Sequence, residues 1–191
     1  MSNLLFFYYL CRKYRIMRLL TTLSILIATI FLHGCGTINE ELPSYEETSI
    51  INVGDEAPDF TATTLQGERF TLSEHRGEVV LLILFSHTCP DCKALLDDVM
   101  LYKNSIDNTG ARVIAIAREG NRDDIEEYMI KNGYLFDVVV DNNREIYNSY
   151  ATMYVPRTYL IDIEGVVTHT TIEYESAYIP QIVSYIATLT K

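Results

Sequence analysis

The chain has 191 residues, of which 48% are hydrophobic, and its formal net charge is −11. That hydrophobic content supports a packed core and argues against wholesale disorder. The length allows one domain of ordinary size with an appendage, and the acidic charge disfavours binding to nucleic acid or to anionic lipid surfaces.

The N-terminal part of the chain carries an apolar run that is typical of a secretory signal. Leu19–Leu32 contains fourteen uncharged residues, fewer than the roughly 20 residues that a membrane span requires. The run ends at Leu32-His33-Gly34-Cys35, and Leu-x-Gly-Cys after such a run resembles the bacterial lipoprotein box. The resemblance implies cleavage before Cys35 and lipidation of its sulfur, with acyl chains that together hold a protein firmly on a membrane. An uncleaved anchor helix with a chance cysteine at its end is the alternative.

This pattern divides the chain into three parts. We expect residues 1–34 to be a lipoprotein signal peptide, residues 35–52 to be the lipidated cysteine with a mobile acidic tether, and residues 53–191 to be the folded domain. Met17 followed by the apolar run is already a complete signal, so we expect translation to start there. A start at Met1 would only lengthen the positively charged segment.

The charge and the tether bear on location. Four of the fifteen basic residues and none of the twenty-six acidic ones lie in residues 1–34, so the remainder has a net charge of −15. We expect the protein in the bacterial cell envelope, lipid-anchored at Cys35 and facing the periplasm. Glu40-Glu41 resembles the acidic sorting signals of some Bacteroidetes lipoproteins, which direct export to the cell surface; a solvated linker is the alternative.

The predicted elements alternate between strands and helices. Residues on both sides of Gln66-Gly67 predict an N-terminal β-hairpin. Apolar runs predict buried strands over residues 79–85, 111–117 and 135–141. Helices are predicted after Cys89 and over residues 121–133, 143–153 and 177–189. A last hairpin over residues 157–172 turns at Glu164-Gly165. This order predicts an α/β fold with a mostly parallel sheet, helices on both faces and an antiparallel edge.

The motif Cys89-Pro90-Asp91-Cys92 stands where a buried strand passes into a helix. Cys89 would be the N-cap, Pro90 would take the first helical position, and Cys92 would lie in the first turn. The unpaired amides and the positive end of the helix dipole favour a thiolate at Cys89, which is the reactive form of a nucleophilic cysteine. The spacing lets Cys92 attack the sulfur of Cys89 and resolve a mixed disulfide. We therefore assign Cys89 as the attacking thiol and Cys92 as the resolving thiol.

Two other interpretations of the cysteine pair fit less well. A structural zinc site needs four ligands, and the nearest candidates, His75, His87 and His169, are scattered along the sequence. A purely structural disulfide is compatible with an oxidising compartment, but a bridge that closes so small a loop adds little stability. We expect no metal and no cofactor apart from the redox-active disulfide.

Residues 53–191 resemble the thioredoxin-like TlpA/ResA-type thiol–disulfide oxidoreductases of bacterial envelopes. The stretch "GDEAPDFTATTLQGERFTLSEHRGEVVLLILF" is similar to their N-terminal hairpin and first central strand, and the stretch from "IAIAREG" to "DIEGVV" is similar to the remainder. The resemblance implies a thioredoxin-like fold with an N-terminal β-hairpin and a central αβ insertion. It implies disulfide-containing client proteins, apocytochromes among them, and a membrane dithiol as electron donor.

The same resemblance assigns a substrate-binding loop. Tyr154-Val155-Pro156-Arg157-Thr158 matches the loop whose proline is cis in that family and faces the active-site disulfide. By the resemblance, Pro156 shapes the groove and the backbone of Val155 pairs with an extended substrate segment. An ordinary proline at the start of a strand is the alternative for Val155-Pro156 taken alone.

Several positions depart from the family pattern. Thr88 stands where thioredoxins carry a tryptophan, and Ile83 stands where they carry a buried aspartate. Leu95 occupies the place of a glutamate in many TlpA/ResA-type proteins, and Asp97 the place of a proline. Neither usual buried carboxylate is present to accept the proton of Cys92, and Asp91 and Glu119 are the candidate substitutes.

Asp91 bears on the direction of electron flow. A carboxylate close to Cys89 repels the thiolate and raises its pKa, which stabilises the disulfide relative to the dithiolate. The sequence therefore predicts a reductant, since strong oxidants stabilise their reduced thiolate. Pro90 and His87 are the other residues expected to tune the potential. A protonated His87 would oppose Asp91, and a solvated loop histidine is the alternative.

Two functions of other classes compete with thiol–disulfide exchange. The first is a peroxidase, because Ser86-His87-Thr88-Cys89 also resembles peroxiredoxins, although Leu82 stands where their proline belongs. The second is a copper-handling module, because two thiolates and His169 could bind Cu(I). Metallochaperones with this fold usually space the cysteines one residue further apart.

Overall fold

The computed structural model describes residues 42–189. The signal peptide predicted for residues 1–34 and the lipidated Cys35 lie outside these residues. None of the helices within the described part has the length and apolar composition needed to cross a membrane.

The folded unit begins at Pro43, whereas the sequence indicated a tether up to residue 52. The helix α1 (Tyr45–Thr48) forms because Ser44 and Glu47 make a reciprocal capping box at its start. Thr48 is only 2% exposed, and its carbonyl accepts the backbone N–H of Thr152 at 2.9 Å. The C-terminal part of the predicted tether is therefore packed onto the domain.

A five-stranded sheet forms the centre of the unit, with strand order β5–β4–β3–β6–β7. The strands β3, β4 and β5 are parallel, and β6 and β7 are antiparallel to their neighbours. A separate antiparallel hairpin, β1–β2, precedes them. The strand bounds are Thr61–Thr63 (β1), Arg69–Thr71 (β2), Val80–Phe85 (β3), Arg112–Ala117 (β4), Asp137–Val140 (β5), Arg157–Ile161 (β6) and Val167–Ile172 (β7).

In the described part of the chain, five further helices follow α1. They are α2 (Pro90–Leu101), α3 (Lys103–Asp107), α4 (Arg122–Asn132), α5 (Glu145–Tyr150) and α6 (Tyr178–Leu189), and a 3-10 turn spans Leu72–His75. Asn121 caps α4, and Gly133 ends it in the left-handed conformation at φ 70°. Both features agree with the prediction for that helix.

The central strand β3 is buried on both faces. Leu81, Ile83 and Phe85 pack with Cys92 and the apolar side of α2 in one core. Leu82 and Leu84 pack in a second core on the opposite face, which includes the hairpin and α5. Because side chains alternate along a strand, the continuous apolar sequence of β3 supplies both cores at once.

The predicted order of elements is confirmed, and the bounds differ in places. The helix expected over residues 143–153 covers only Glu145–Tyr150, because the chain then turns into the loop that contains Pro156. The short helix α3 was not predicted. The elements α4, β5 and α5 lie between β4 and β6, where the family resemblance implied an additional αβ element.

Candidate active site

The cysteine motif lies at the carboxyl end of β3, as its sequence predicts. Cys89 is the N-cap of α2 in an extended conformation, and Pro90 is the first helical residue. The Sγ atom of Cys89 accepts a hydrogen bond from the backbone N–H of Cys92 at 3.4 Å. An N-cap side chain that accepts from the first turn satisfies one of the amides that every helix leaves unpaired.

The two sulfurs differ in accessibility. Both cysteines are free thiols; Cys89 is half-buried, whereas Cys92 has no exposed surface. Burial raises the pKa of the Cys92 thiol, and a hydrogen bond from the backbone N–H of Ser86 at 3.4 Å partly opposes this effect. An accessible Cys89 above a buried Cys92 is the arrangement required if the first thiol attacks and the second resolves.

The loop containing Pro156 lies against Cys89. The Val155–Pro156 peptide bond is cis, in agreement with the family resemblance. The thiol of Cys89 donates to the Val155 carbonyl across 3.8 Å. Pro156 is buried and Val155 half-buried, so the part of this loop that solvent reaches is next to the accessible sulfur.

Tyr154 begins this loop with a left-handed backbone at φ 68°. Its carbonyl accepts the hydroxyl of Tyr147 at 2.9 Å. On the other side of the proline, the Pro156 carbonyl accepts the N–H of Glu173 at 2.8 Å. Both ends of the loop are therefore held by residues outside it.

An acidic residue reaches the surroundings of Cys92 through Ser86. The hydroxyl of Ser86, which is 2% exposed, donates to Oε1 of Glu119 at 2.8 Å. Arg144 pairs with Oε2 of the same carboxylate, and Arg118 lies 3.9 Å from it. The Ser86 hydrogen bond and the two guanidinium groups hold the pKa of Glu119 below its usual range, against a smaller opposing effect of burial.

The positions that depart from the family pattern are accounted for by their surroundings. Ile83 and Leu95 are fully buried in the apolar core beside Cys92, where no acid replaces the family carboxylates. Asp97 is directed elsewhere: its carboxylate accepts the hydroxyl of Tyr134 and the ammonium of Lys93, each at 2.7 Å. Asp91 and Glu119 were the candidates to replace the missing carboxylates. Glu119 is the one that is hydrogen-bonded to Ser86, and Ser86 contacts Cys92.

The remaining residues predicted to tune the site lie on its rim. Asp91 is exposed in the first turn of α2. The His87 ring packs edge-on against Tyr128 with ring centroids 6.2 Å apart. Within residues 42–189, Nδ1 of His87 and the hydroxyl of Tyr128 are buried without a hydrogen-bond partner. Sequence reasoning did not identify Tyr128, because a tyrosine at a half-buried helix position carries no signal of its own.

His169 does not join the cysteines. It lies on β7, where its ring stacks on Tyr185 with centroids 3.6 Å apart. Among residues 42–189 there is no group of three potential His, Cys, Asp or Glu metal ligands. The placement does not support the copper-handling alternative, which required His169 beside both thiols.

Comparisons with known protein sequences bear on the family of this chain. Residues 53–170 match the model of the AhpC/TSA family. The thiol-disulfide oxidoreductase ResA of Geobacillus kaustophilus is 29% identical over 125 residues, which cover 63% of this chain and 70% of the relative.

Solved structures extend the comparison to the fold. A Bacteroides thetaiotaomicron protein described as a candidate protein disulfide isomerase has a TM-score of 0.70 and 26% identity, and the match covers 75% of this chain and 92% of that one. Peroxiredoxin Q of Xanthomonas campestris, with a TM-score of 0.62 and 16% identity over 75% of this chain and 99% of that one, shares the fold alone. The predicted thioredoxin-like α/β fold is confirmed.

Proposed function

The chain belongs to the AhpC/TSA family, and on this premise we propose that it is a thiol–disulfide oxidoreductase that reduces disulfides of envelope proteins through Cys89 and Cys92. The observation that carries the proposal is the position of the two thiols. Cys89 is accessible at the N-cap of α2 and faces the Val155 carbonyl, while Cys92 is buried directly behind it. Such a pair can exchange disulfides, whereas a single accessible thiol could not resolve its own mixed disulfide.

The first step uses the accessible sulfur. The Cys89 thiolate attacks one sulfur of a client disulfide, so that a Cys89–client bond forms, the client S–S bond breaks and the other client sulfur leaves as a thiolate. The dipole of α2 and the N–H of Cys92 stabilise negative charge on Cys89 before the attack. The backbone of Val155 positions the client by pairing with an extended segment, as the family resemblance implied.

The second step returns the client. Cys92 loses its proton, which ends on the departing client sulfur, and its thiolate attacks Sγ of Cys89. The Cys89–client bond breaks and the Cys89–Cys92 disulfide forms, so that two electrons have passed to the client. The N–H of Ser86 donates to Cys92 and stabilises the thiolate that this step requires. A dithiol donor then regenerates the reduced pair, and we propose a membrane dithiol protein for this role.

We propose that electrons flow from this protein to its clients. Asp91, exposed in the first turn of α2, supplies negative charge near the end of the helix where Cys89 lies. A negative charge at this position counteracts the stabilisation of the Cys89 thiolate by the helix dipole. It therefore favours the disulfide over the dithiolate. Pro90 and His87 are the other two residues that we propose tune the reduction potential of the pair.

Insulin reduction tests the proposal directly. The wild-type protein, supplied with dithiothreitol, is expected to accelerate insulin precipitation, Cys89→Ser to lose this activity, and Cys92→Ser to accumulate a covalent client adduct. His169→Ala is the control, since His169 is stacked on Tyr185 and not on the thiols. Turnover that persists in Cys89→Ser would exclude the proposed chemistry.

A peroxidase is the second candidate, because the fold is shared with peroxiredoxin Q. In a peroxidase, Cys89 would be oxidised to a sulfenic acid by peroxide, with release of water, and Cys92 would condense with it. The same protein is therefore assayed for hydrogen peroxide consumption. Peroxide consumption without insulin reduction would favour this alternative, whereas insulin reduction that depends on both cysteines favours disulfide exchange.

We further propose that the protein is a lipoprotein of the cell envelope, anchored at Cys35 and facing the periplasm. The support is the Leu-x-Gly-Cys sequence after an apolar run of fourteen residues. Metabolic labelling with a fatty acid should mark the wild type and not Cys35→Ala, and the variant should leave the membrane fraction. Protease treatment of intact cells distinguishes a periplasmic domain from one exported to the surface by Glu40-Glu41.

A further inference from the structure

The first described segment of the domain packs against the loop that carries the cis-proline. The N–H groups of Ile50 and Ile51 donate to the Tyr150 carbonyl at 3.0 and 3.2 Å. Ser49 forms an isolated antiparallel bridge with Ala151. These contacts join residues that are about a hundred positions apart in the chain, so the segment is held by tertiary contacts and not by local sequence.

The side chain of Arg157 is hydrogen-bonded to this segment. It follows Pro156 directly and is 1% exposed. Its guanidinium donates to the carbonyl of Met153 at 3.0 Å, and to the hydroxyls of Ser49 and Thr48 at 2.8 Å each. Among residues 42–189 it forms no ion pair with a carboxylate.

A buried cation without an acid is tolerated only when its N–H groups are hydrogen-bonded. Two of the three acceptors of Arg157 are supplied by Thr48 and Ser49. If this segment moved away, the guanidinium would lose both acceptors, and the chain that leaves Pro156 could not keep its conformation without cost. The segment and the cis-proline loop are therefore coupled through one side chain.

The same segment also contacts the loop through Tyr154, the residue before Val155. The hydroxyl of Tyr154 donates to the Pro43 carbonyl at 2.7 Å. The ring of Tyr45 meets the ring of Tyr154 edge-on, with centroids 5.1 Å apart, and its hydroxyl bonds to Glu173. Glu173 in turn donates its N–H to Pro156, so the segment is connected to both sides of the cis peptide bond.

We propose that residues 43–49 form a wall of the groove in which Val155 receives an extended client segment, and that Arg157 is the positioning residue that holds this wall. Tyr45, which is 44% exposed, is the side chain of the wall that contacts the client polypeptide. The inference rests on the proposed function and assigns to this segment the preference for polypeptide disulfides over small ones. A small disulfide reaches Cys89 without lying along the groove, so it does not depend on the wall.

The expected effect is a change in substrate preference. The test compares kcat/KM for insulin with kcat/KM for bis(2-hydroxyethyl) disulfide, a small neutral disulfide. In Arg157→Met and in Tyr45→Ala the insulin-to-small-disulfide ratio should fall about three- to tenfold, chiefly through KM for insulin. Tyr185→Ala is the matched control, because Tyr185 is similarly exposed, at 40%, and its ring contacts His169. The control should keep the wild-type ratio.

Hydrogen exchange supplies a second readout that does not depend on turnover. In Arg157→Met the amides of Ile50 and Thr152, which bond across the segment, should exchange faster, while those of α2 stay protected. Tyr45→Ala, an exposed position, keeps the kinetic test valid if Arg157→Met does not fold. Equal losses on both disulfides, or an unchanged ratio in both variants, would overturn the inference while leaving the proposed function intact. A wild-type protein that reduces neither disulfide would overturn both.

Discussion

The hydroxyl of Ser86 donates a hydrogen bond to the carboxylate of Glu119 at 2.8 Å, while its backbone N–H donates to the sulfur of Cys92 at 3.4 Å. Ser86 therefore connects the resolving thiol of Cys92 to Glu119, which follows the neighbouring strand β4. Ile83 and Leu95 fill with hydrocarbon the places where the family carries acids, so this connection is the one through which Glu119 approaches Cys92.

Removing the Ser86 hydroxyl should raise the pKa of Glu119. The hydrogen bond from Ser86 is the largest of the effects that lower it, so in Ser86→Ala the carboxylate should titrate closer to its usual range in an NMR titration. Ser184→Ala is the control, since its hydroxyl donates to the carbonyl of Pro180, in its own helix α6. An unchanged Glu119 titration in Ser86→Ala would contradict the assignment.

The same variant should change the pH dependence of stability. A carboxylate whose pKa is lower in the folded state adds stability above its unfolded pKa, and this stability is lost as the pH falls through the folded pKa. The free energy of unfolding of wild type should therefore exceed that of Ser86→Ala by more at about pH 7 than at about pH 3. Denaturation followed by circular dichroism measures the difference, and a gap that widens in acid would contradict the sign.

Arg118 should speed the second step of the reaction. Its positive charge lowers the pKa of Cys92, against the larger effect of burial that raises it. Arg118→Met should thus move the pH profile of mixed-disulfide resolution upward and slow resolution at neutral pH by less than the roughly tenfold of one pKa unit, since Arg118 is the smaller of the two effects that lower this pKa. The rate is measured by stopped-flow release of a chromophoric thiol bound to Cys89. Arg144→Met, which also removes a cation from Glu119, is the control and should have the smaller effect.

Asp91 should lower the reduction potential of the pair. Asp91→Asn removes a negative charge in the first turn of α2 and should raise the potential by about 10 to 30 mV, with Asp91→His shifting it further. Equilibration with glutathione buffers and thiol labelling measure the potential. Asp123→Asn, in the first turn of α4, is the control. A potential that stays fixed or falls in Asp91→Asn would refute the electrostatic account of the motif.

The sequence predicts the cysteine site because its determinants are local. Cys89, Pro90 and Cys92 take their positions from the strand–helix junction, and their exposure follows from the helix phase. Pro156 could be placed only through the family resemblance, since a cis bond has no local signature.

The packing of residues 43–49 depends on contacts that no local pattern encodes. The hydrogen bonds from Arg157 to Ser49 and Thr48 join residues 108 and 109 positions apart, and a polar segment of this kind looks like a tether by composition. One readable signal existed: Ser44 and Glu47 have capping-box spacing, which indicates a helix start inside the predicted tether. The sequence does not indicate that Arg157 is buried, because an arginine at a strand end is normally exposed.

Arg157 and Thr48 should be energetically coupled. Thr48→Val leaves one buried guanidinium N–H without its acceptor and should cost about 1–3 kcal/mol of unfolding free energy. In Arg157→Met that N–H is gone, so adding Thr48→Val should then cost much less, which gives a coupling energy of about 1 kcal/mol or more. Thr63→Val on the exposed face of β1 should be additive with Arg157→Met. Additive costs for Thr48→Val would show that the hydroxyl does not serve the guanidinium.

Gly120 should be required where the loop after β4 passes His87. Its φ is +108°, and a Cβ atom would lie 2.9 Å from Cδ1 of Ile125 and 3.0 Å from Cε1 of His87. Gly120→Ala therefore combines backbone strain with two close contacts, one of them to a fully buried side chain, and should cost about 2–4 kcal/mol.

Gly133→Ala is the matched control for this prediction. Gly133 also has a positive φ, of +70°, but a Cβ atom there would meet nothing within 4 Å. It should carry the backbone strain alone, about 1 kcal/mol. Chemical denaturation of both variants measures the difference, which combines the cost of crowding His87 and Ile125 with the greater backbone strain at φ +108°. If the two substitutions cost the same, His87 moves aside freely, and its ring is not held in the position beside Tyr128 that the site geometry assigns to it.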